Sequence, residues 1–144
     1  MMTGLLALTA AAIFTGAALY VNVAEQPARL TLEDRALLTE WKPSYKRGAA
    51  MQAPLALVGF LLGLTAWWQT SHPGFLIGGI AMIAPWPWTL IGIKPTNDAL
   101  LATEIEKAGP PTRALVVKWG ALHAMRTVLG ALATIAFLWA CLSR

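Results

Sequence analysis

The sequence predicts an all-α protein, an integral membrane bundle of four transmembrane helices. Three observations predict it. Of 144 residues, 57% are hydrophobic and only 12% charged, too apolar a balance for an ordinary water-soluble domain. Four apolar stretches, residues 2–23, 48–69, 73–93 and 114–142, each have about the 20 residues a spanning helix needs. The basic residues gather in the connections between these stretches rather than spreading along the chain. The whole chain, residues 1–144, reads as one domain.

The first stretch lacks a basic leading region and has no small-residue cleavage pattern before Asn22, so it reads as a retained helix rather than a signal peptide. A polar segment, residues 24–47, follows and reads as a loop edged by Pro27 and Pro43. In the second stretch Gly48, Gln52, Gly59 and Gly63 share a face at helical spacing. Residues 70–72 are a tight turn into the third stretch, where Pro85 and Pro87 are placed to kink or end the helix. The third connection, residues 94–113, carries a candidate interfacial helix over 99–107, with Asn97 or Asp98 as its cap. The fourth stretch presents Trp119, His123, Arg126, Thr127, Gly130 and Thr134 on one face, and Leu129, Leu132, Ile135 and Trp139 away from it. Gly59 with Gly63, and Gly74 with Gly78, are small-residue pairs that permit close helix contact, including contact with a second copy in a homo-oligomer. Cys141, near the far end, reads as lipid-facing or as packing filler.

A net charge of +4 raises nucleic acid as a partner. The charge pattern favours membrane topology instead, with membrane lipid as the surrounding partner and no nucleic acid. Arg29, Arg35, Lys42, Lys46, Arg47, Lys94, Lys107, Arg113 and Lys118 fall in or beside the two long connections, against Arg144 alone on the opposite side. The positive-inside rule then puts the long loops in the cytoplasm and both termini outside, in a bacterial inner membrane. One cysteine allows no intrachain disulfide, and with two histidines it cannot make a zinc-finger ligand set, so no metal site is assigned.

The chemistry-bearing feature is His123 with Arg126 inside the fourth apolar stretch, which carries no acidic residue. An arginine deep in a spanning helix costs about 2.5–3.5 kcal/mol on insertion scales, so its presence points to a use. Four antiparallel spans bring Asn22, Glu25 and Arg29, Tyr45, Arg47 and Gln52, Trp88, and then Asn97 to the same side as Trp119, His123 and Arg126. At about 1.5 Å per residue His123 lies roughly 13 Å beyond Ala114, which implies a polar cavity opening on that side. Each element has a plainer reading. Trp41 fits an interfacial aromatic belt, which Trp86 and Trp88 also allow. Lys46, Arg47 and Lys118 fit snorkelling anchors. Glu25 and Arg29, four apart, fit a surface pair, and His123 fits a hydrogen-bonded structural histidine. As a set, the residues suit an aromatic or anionic small molecule. Aromatic faces stack on a ring, arginine holds a phenolate or carboxylate, and a neutral histidine takes a proton from an acidic carbon or hydroxyl. Glu25 is the acidic residue best placed to partner Arg126 or His123.

Four motifs occur in order: Glu-Gln-Pro-Ala-Arg at 25–29, Trp-Lys-Pro-Ser-Tyr-Lys-Arg-Gly at 41–48, Pro-Thr-Asn at 95–97 and Trp-Gly-Ala-Leu-His-Ala-Met-Arg-Thr at 119–127. In these the chain resembles the anthrone-oxygenase-like family of small four-helix membrane proteins, over nearly its whole length. The resemblance implies oxidation of an anthrone or related hydrophobic phenolic compound. Molecular oxygen is then the co-substrate, and the cofactor is left open, with none as one option. It further implies His123 as base and Arg126, with Arg47, as enolate clamp. Trp88, Trp119 or Tyr45 would stack the rings, and Asn97 and Gln52 would orient polar groups. Glu25 and Arg29 complete the substrate-binding set. The competing reading is a non-catalytic membrane protein that binds a lipid, a quinone or a partner protein in the same pocket. A small transporter ranks lowest, because four spans without an inverted repeat leave little room for alternating access.

Overall fold

A computed structural model describes residues 2–143. Arg144, the one basic residue assigned to the far side, lies outside the described residues. Four long helices carry the chain: α1 (Met2–Arg29), α2 (Asp34–Thr70), α3 (Pro73–Ala102) and α4 (Pro110–Leu142). All are long and apolar enough to cross a membrane, and no strand occurs among the described residues. They run up and down in a ring in which α1 packs on α2 and α4, and α3 packs on the same two.

The helices outrun the apolar stretches. At 1.5 Å per residue α2 is about 55 Å long against a hydrocarbon layer of about 30 Å, so its polar first turns stand clear of the span. This corrects the loop expected over 24–47. Only residues 30–33 turn, and the rest is helix. Glu33 caps α2 by accepting from the Ala36 amide (2.9 Å). Pro43 removes one backbone donor, and the carbonyl it orphans belongs to Thr39, an exposed residue. Leu37, Leu38 and Trp41 then bury one face of this extension against Ile93, Leu100, Val116 and Trp119. Trp41 is fully buried, not a member of an interfacial belt.

Pro27, expected to edge a loop, instead follows a wide turn, and so does Pro95. Val21–Glu25 and Thr89–Ile93 are π-helical, and each is followed one residue later by a proline, Pro27 and Pro95. Such bulges re-aim side chains and recur at functional sites. The helix after the second runs Lys94–Ala102, so Asn97 is buried inside it and caps nothing. A single 3-10 turn, Ile105–Lys107, stands where the interfacial helix was expected to continue. Lys42 holds the end of α3 through the Leu101 and Thr103 carbonyls (3.2 and 2.6 Å). Arg113 binds Asp34 (2.7 Å) and the Leu30 and Leu32 carbonyls, locking the first turn to α4.

The other end of the bundle is the dry core of Ala7, Ala11, Phe14, Ala18, Phe75, Met82, Ala133 and Phe137. A Cβ on Gly78 would stand 2.4 Å from Phe137, and one on Gly63 2.8 Å from Phe137 and 3.1 Å from the Gly79 backbone. The glycine faces considered for self-association are therefore taken up inside the chain. The 70–72 turn is as expected: Ser71 takes a left-handed conformation (φ 56°), and His72 Nδ1 caps α3 by accepting from the Gly74 amide. Glycine-like geometry on a serine is tolerated because it ends a helix there.

Candidate functional site

The polar half of the bundle encloses a cavity of about 580 Å³, drug-sized for a pocket. His123, Arg126 and Trp119 of α4, Gln52, Tyr45 and Arg47 of α2, Asn97 of α3 and Glu25 of α1 all line it. Eight of the ten candidate residues therefore converge. Trp88 and Arg29 do not line it. Trp88 spends its indole N–H on the Leu122 carbonyl (3.0 Å), behind the wall. Arg29 is buried behind Glu25, with its guanidinium 5.5 Å over the Trp119 ring.

Asn22, which the sequence placed on the correct side without a role, organises the histidine. Its amide nitrogen donates to the Gly120 carbonyl (2.9 Å), so its oxygen faces Thr127 and His123. That oxygen accepts from the Thr127 hydroxyl (2.9 Å) and lies 2.9 Å from His123 Nδ1. An amide oxygen can only accept, so neutral His123 carries its proton on Nδ1 and Nε2 keeps the lone pair. The bulge at Val21–Glu25 is what turns Asn22 toward α4, and Gly120 leaves room for Gln26 beside it. The ring packs on Trp119, with centroids 5.0 Å apart.

Arg126 is held but not neutralised. It donates to Thr89 Oγ1 (3.3 Å) and to Gln52 Oε1 (3.1 Å) and lies 5.7 Å over the Phe14 ring. Its Nε is buried without a partner. Among the described residues no carboxylate lies within ion-pair distance of it. The Glu25 contact expected with Arg126 or His123 is absent. Glu25 pairs with Arg29, one helical turn away, and accepts from Ser44. Arg29 also meets Glu40 (2.8 Å), a residue the sequence reading passed over because it lay in the supposed loop. The plainer i, i+4 pairing wins because it satisfies a guanidinium that is itself buried.

An aromatic cluster backs part of the wall. Trp41 stacks on Tyr45 (5.0 Å, 3° between planes) and meets Trp119 edge-on (5.7 Å, 88°). Asn97 ties the wall together, accepting from Trp119 Nε1 (2.9 Å) and donating to the Tyr45 hydroxyl (3.3 Å). Among the described residues no three His, Cys, Asp or Glu side chains come together as a metal-binding group. The arrangement offers a cavity with the rings of Tyr45 and Trp119 on its wall, together with a guanidinium that has no carboxylate partner and an imidazole. That suits a planar molecule bearing an acidic C–H or O–H.

A profile of the family described as anthrone oxygenase matches residues 41–136. The chain is similar to an anthrone oxygenase of Claviceps purpurea (strain 20.1), 27% identical over 137 residues that cover 85% of this chain and 79% of that protein. No solved structure matches it.

Proposed function

Because this chain belongs to the anthrone oxygenase family, we propose that it is an integral membrane oxygenase acting on a hydrophobic phenolic or anthrone-like compound. The observation that carries the proposal is Arg126, a cation without a carboxylate partner, sharing a cavity with a histidine whose tautomer is set. A substrate enolate supplies the missing negative charge.

In this reading Nε2 of His123 takes a proton from the acidic ring carbon, and the electron pair moves onto the carbonyl oxygen, facing Arg126. Dioxygen adds to the carbanion carbon, and His123 returns its proton to give a carbon-bound hydroperoxide. Loss of water from that group leaves a second carbonyl. The balance is one CH₂ and one O₂ to one C=O and one water. Donors aimed at a developing oxyanion are worth about 10²–10³ in rate, and a positioned base about 10²–10⁴. Tyr45 and Trp119 hold the rings, Asn97 keeps both in place, and Gln52 and Thr89 aim the guanidinium. The cavity end faces the cytoplasm of a bacterial inner membrane, on the positive-inside argument. A reporter fused to the C-terminus that scores as cytoplasmic would contradict that orientation.

The test is oxygen uptake by the protein in lipid nanodiscs with anthrone as substrate. Consumption of one O₂ per quinone formed, lost in His123→Ala and Arg126→Gln, is the expected result. Uptake at the uncatalysed rate in all three would favour a non-catalytic binding protein.

A further inference from the structure

The walls of the cavity differ in kind, and the difference bears on how a ligand arrives. On the side of α3 and α4 it is lined by Thr89, Ile93, Asn97, Trp119, His123 and Arg126. Toward water it is rimmed by the hydrogen-bonded cluster of Glu25, Glu40 and Ser44, closed over Arg29. Where α1 and α2 meet, three of the lining residues are small, Ala17, Gly48 and Ala49, with Val21 and the exposed Arg47 beside them. A Cβ built on Gly48, or on Gly16 beside Ala17, meets no atom within 4 Å. Tyr20 and Met51 flank this seam, and both line the cavity while remaining 62% and 49% exposed. All of these lie at the cavity end of the apolar stretches 2–23 and 48–69, the depth where aromatic side chains meet lipid headgroups.

We infer that the ligand enters sideways from the bilayer, through a portal between α1 and α2 formed by Ala17, Tyr20, Gly48, Ala49 and Met51. An apolar planar molecule concentrates in lipid, because its transfer from water is favourable by roughly 25 cal/mol per Å² of apolar surface. A seam of small residues at that depth admits a flat ring. The charged rim on the water side would have to be desolvated to admit the same molecule, which opposes that route. The inference rests on the cavity being the ligand site, as proposed above.

Two arms test it. In a Cys141→Ser background in nanodiscs, Gly48→Cys and Ala49→Cys are labelled with pyrene maleimide dissolved in the lipid and with a charged sulfonatoethyl thiosulfonate in the water. Each rate is referred to that of exposed Lys46→Cys. A lipid-to-water rate ratio about tenfold or more above the Lys46→Cys reference supports the portal; a ratio equal to the reference or below it overturns the portal. This arm needs no turnover, so it reads out even where anthrone is not oxidised. In the second arm Gly48→Trp fills the seam. Its expected effect on membrane-dissolved anthrone is about a tenfold fall in kcat/KM with kcat nearly unchanged, the pattern of hindered entry. An unchanged kcat/KM in this variant contradicts the portal.

Discussion

Replacing Asn22 with leucine, similar in size, removes three hydrogen bonds at once and releases the histidine. The lost contacts are those to the Gly120 carbonyl, from the Thr127 hydroxyl and from His123 Nδ1, each at 2.9 Å. At about 1 kcal/mol net per bond the variant loses roughly 3 kcal/mol of stability. The catalytic effect is separate. Without the Asn22 oxygen, Nδ1 loses its fixed acceptor, and the imidazole is free to carry its proton on Nε2, the nitrogen that must act as base. A positioned base contributes about 10²–10⁴ in rate, so Asn22→Leu is expected to lose at least about tenfold in kcat. Asn22→Asp keeps an oxygen acceptor for both His123 and Thr127 while losing the donor to Gly120. It is expected to keep most of the rate while giving up part of the stability. The assay pairs thermal unfolding in detergent with initial oxygen uptake on anthrone, taken well below the melting temperature of every variant. Wild-type kcat in a folded Asn22→Leu protein refutes the tautomer argument. Equal loss of rate in the leucine and aspartate variants refutes it as well, since only one of them lacks the acceptor.

Two further substitutions separate function from packing. Arg126→Gln is expected to cost about 10²–10³ in rate while leaving thermal stability equal or higher, because it removes a partly buried charge that has no carboxylate partner. A large drop in melting temperature would instead make Arg126 structural. Gly78→Ala places a methyl 2.4 Å from Phe137 and is expected to destabilise by about 1–3 kcal/mol, measured by thermal denaturation, with kcat unchanged in the folded fraction.

The legible parts of the molecule were those written at short range. The His123–Arg126–Thr127 face follows from helical spacing within α4, and four antiparallel spans suffice to bring Tyr45, Gln52 and Asn97 to it. The prolines misled for a physical reason. Pro27 is absorbed after a π-helical turn, and Pro43 orphans a carbonyl on an exposed residue, so the helices continue where punctuation was expected. Losing the helix over 34–47 hid Glu40 and the burial of Trp41. The role of Asn22 was out of reach because its partner His123 is 101 residues away. The polar-end location of Asn22 beside a spanning helix was the available signal. Glu25 shows the converse: the short-range i, i+4 pairing with Arg29, the plainer reading, is the one the fold adopts.

The proposed mechanism turns on His123 taking the substrate proton and Arg126 holding the resulting anion. Mixing the protein with anthrone in the absence of oxygen isolates that step, because the enolate absorbs at longer wavelength than the neutral ketone and cannot go on to react. Enolate absorbance is expected to rise to about one equivalent per binding site in the wild type, to be absent in His123→Ala and to be strongly reduced in Arg126→Gln. Equal enolate in all three proteins, or none in a wild type that consumes oxygen with anthrone, would contradict it.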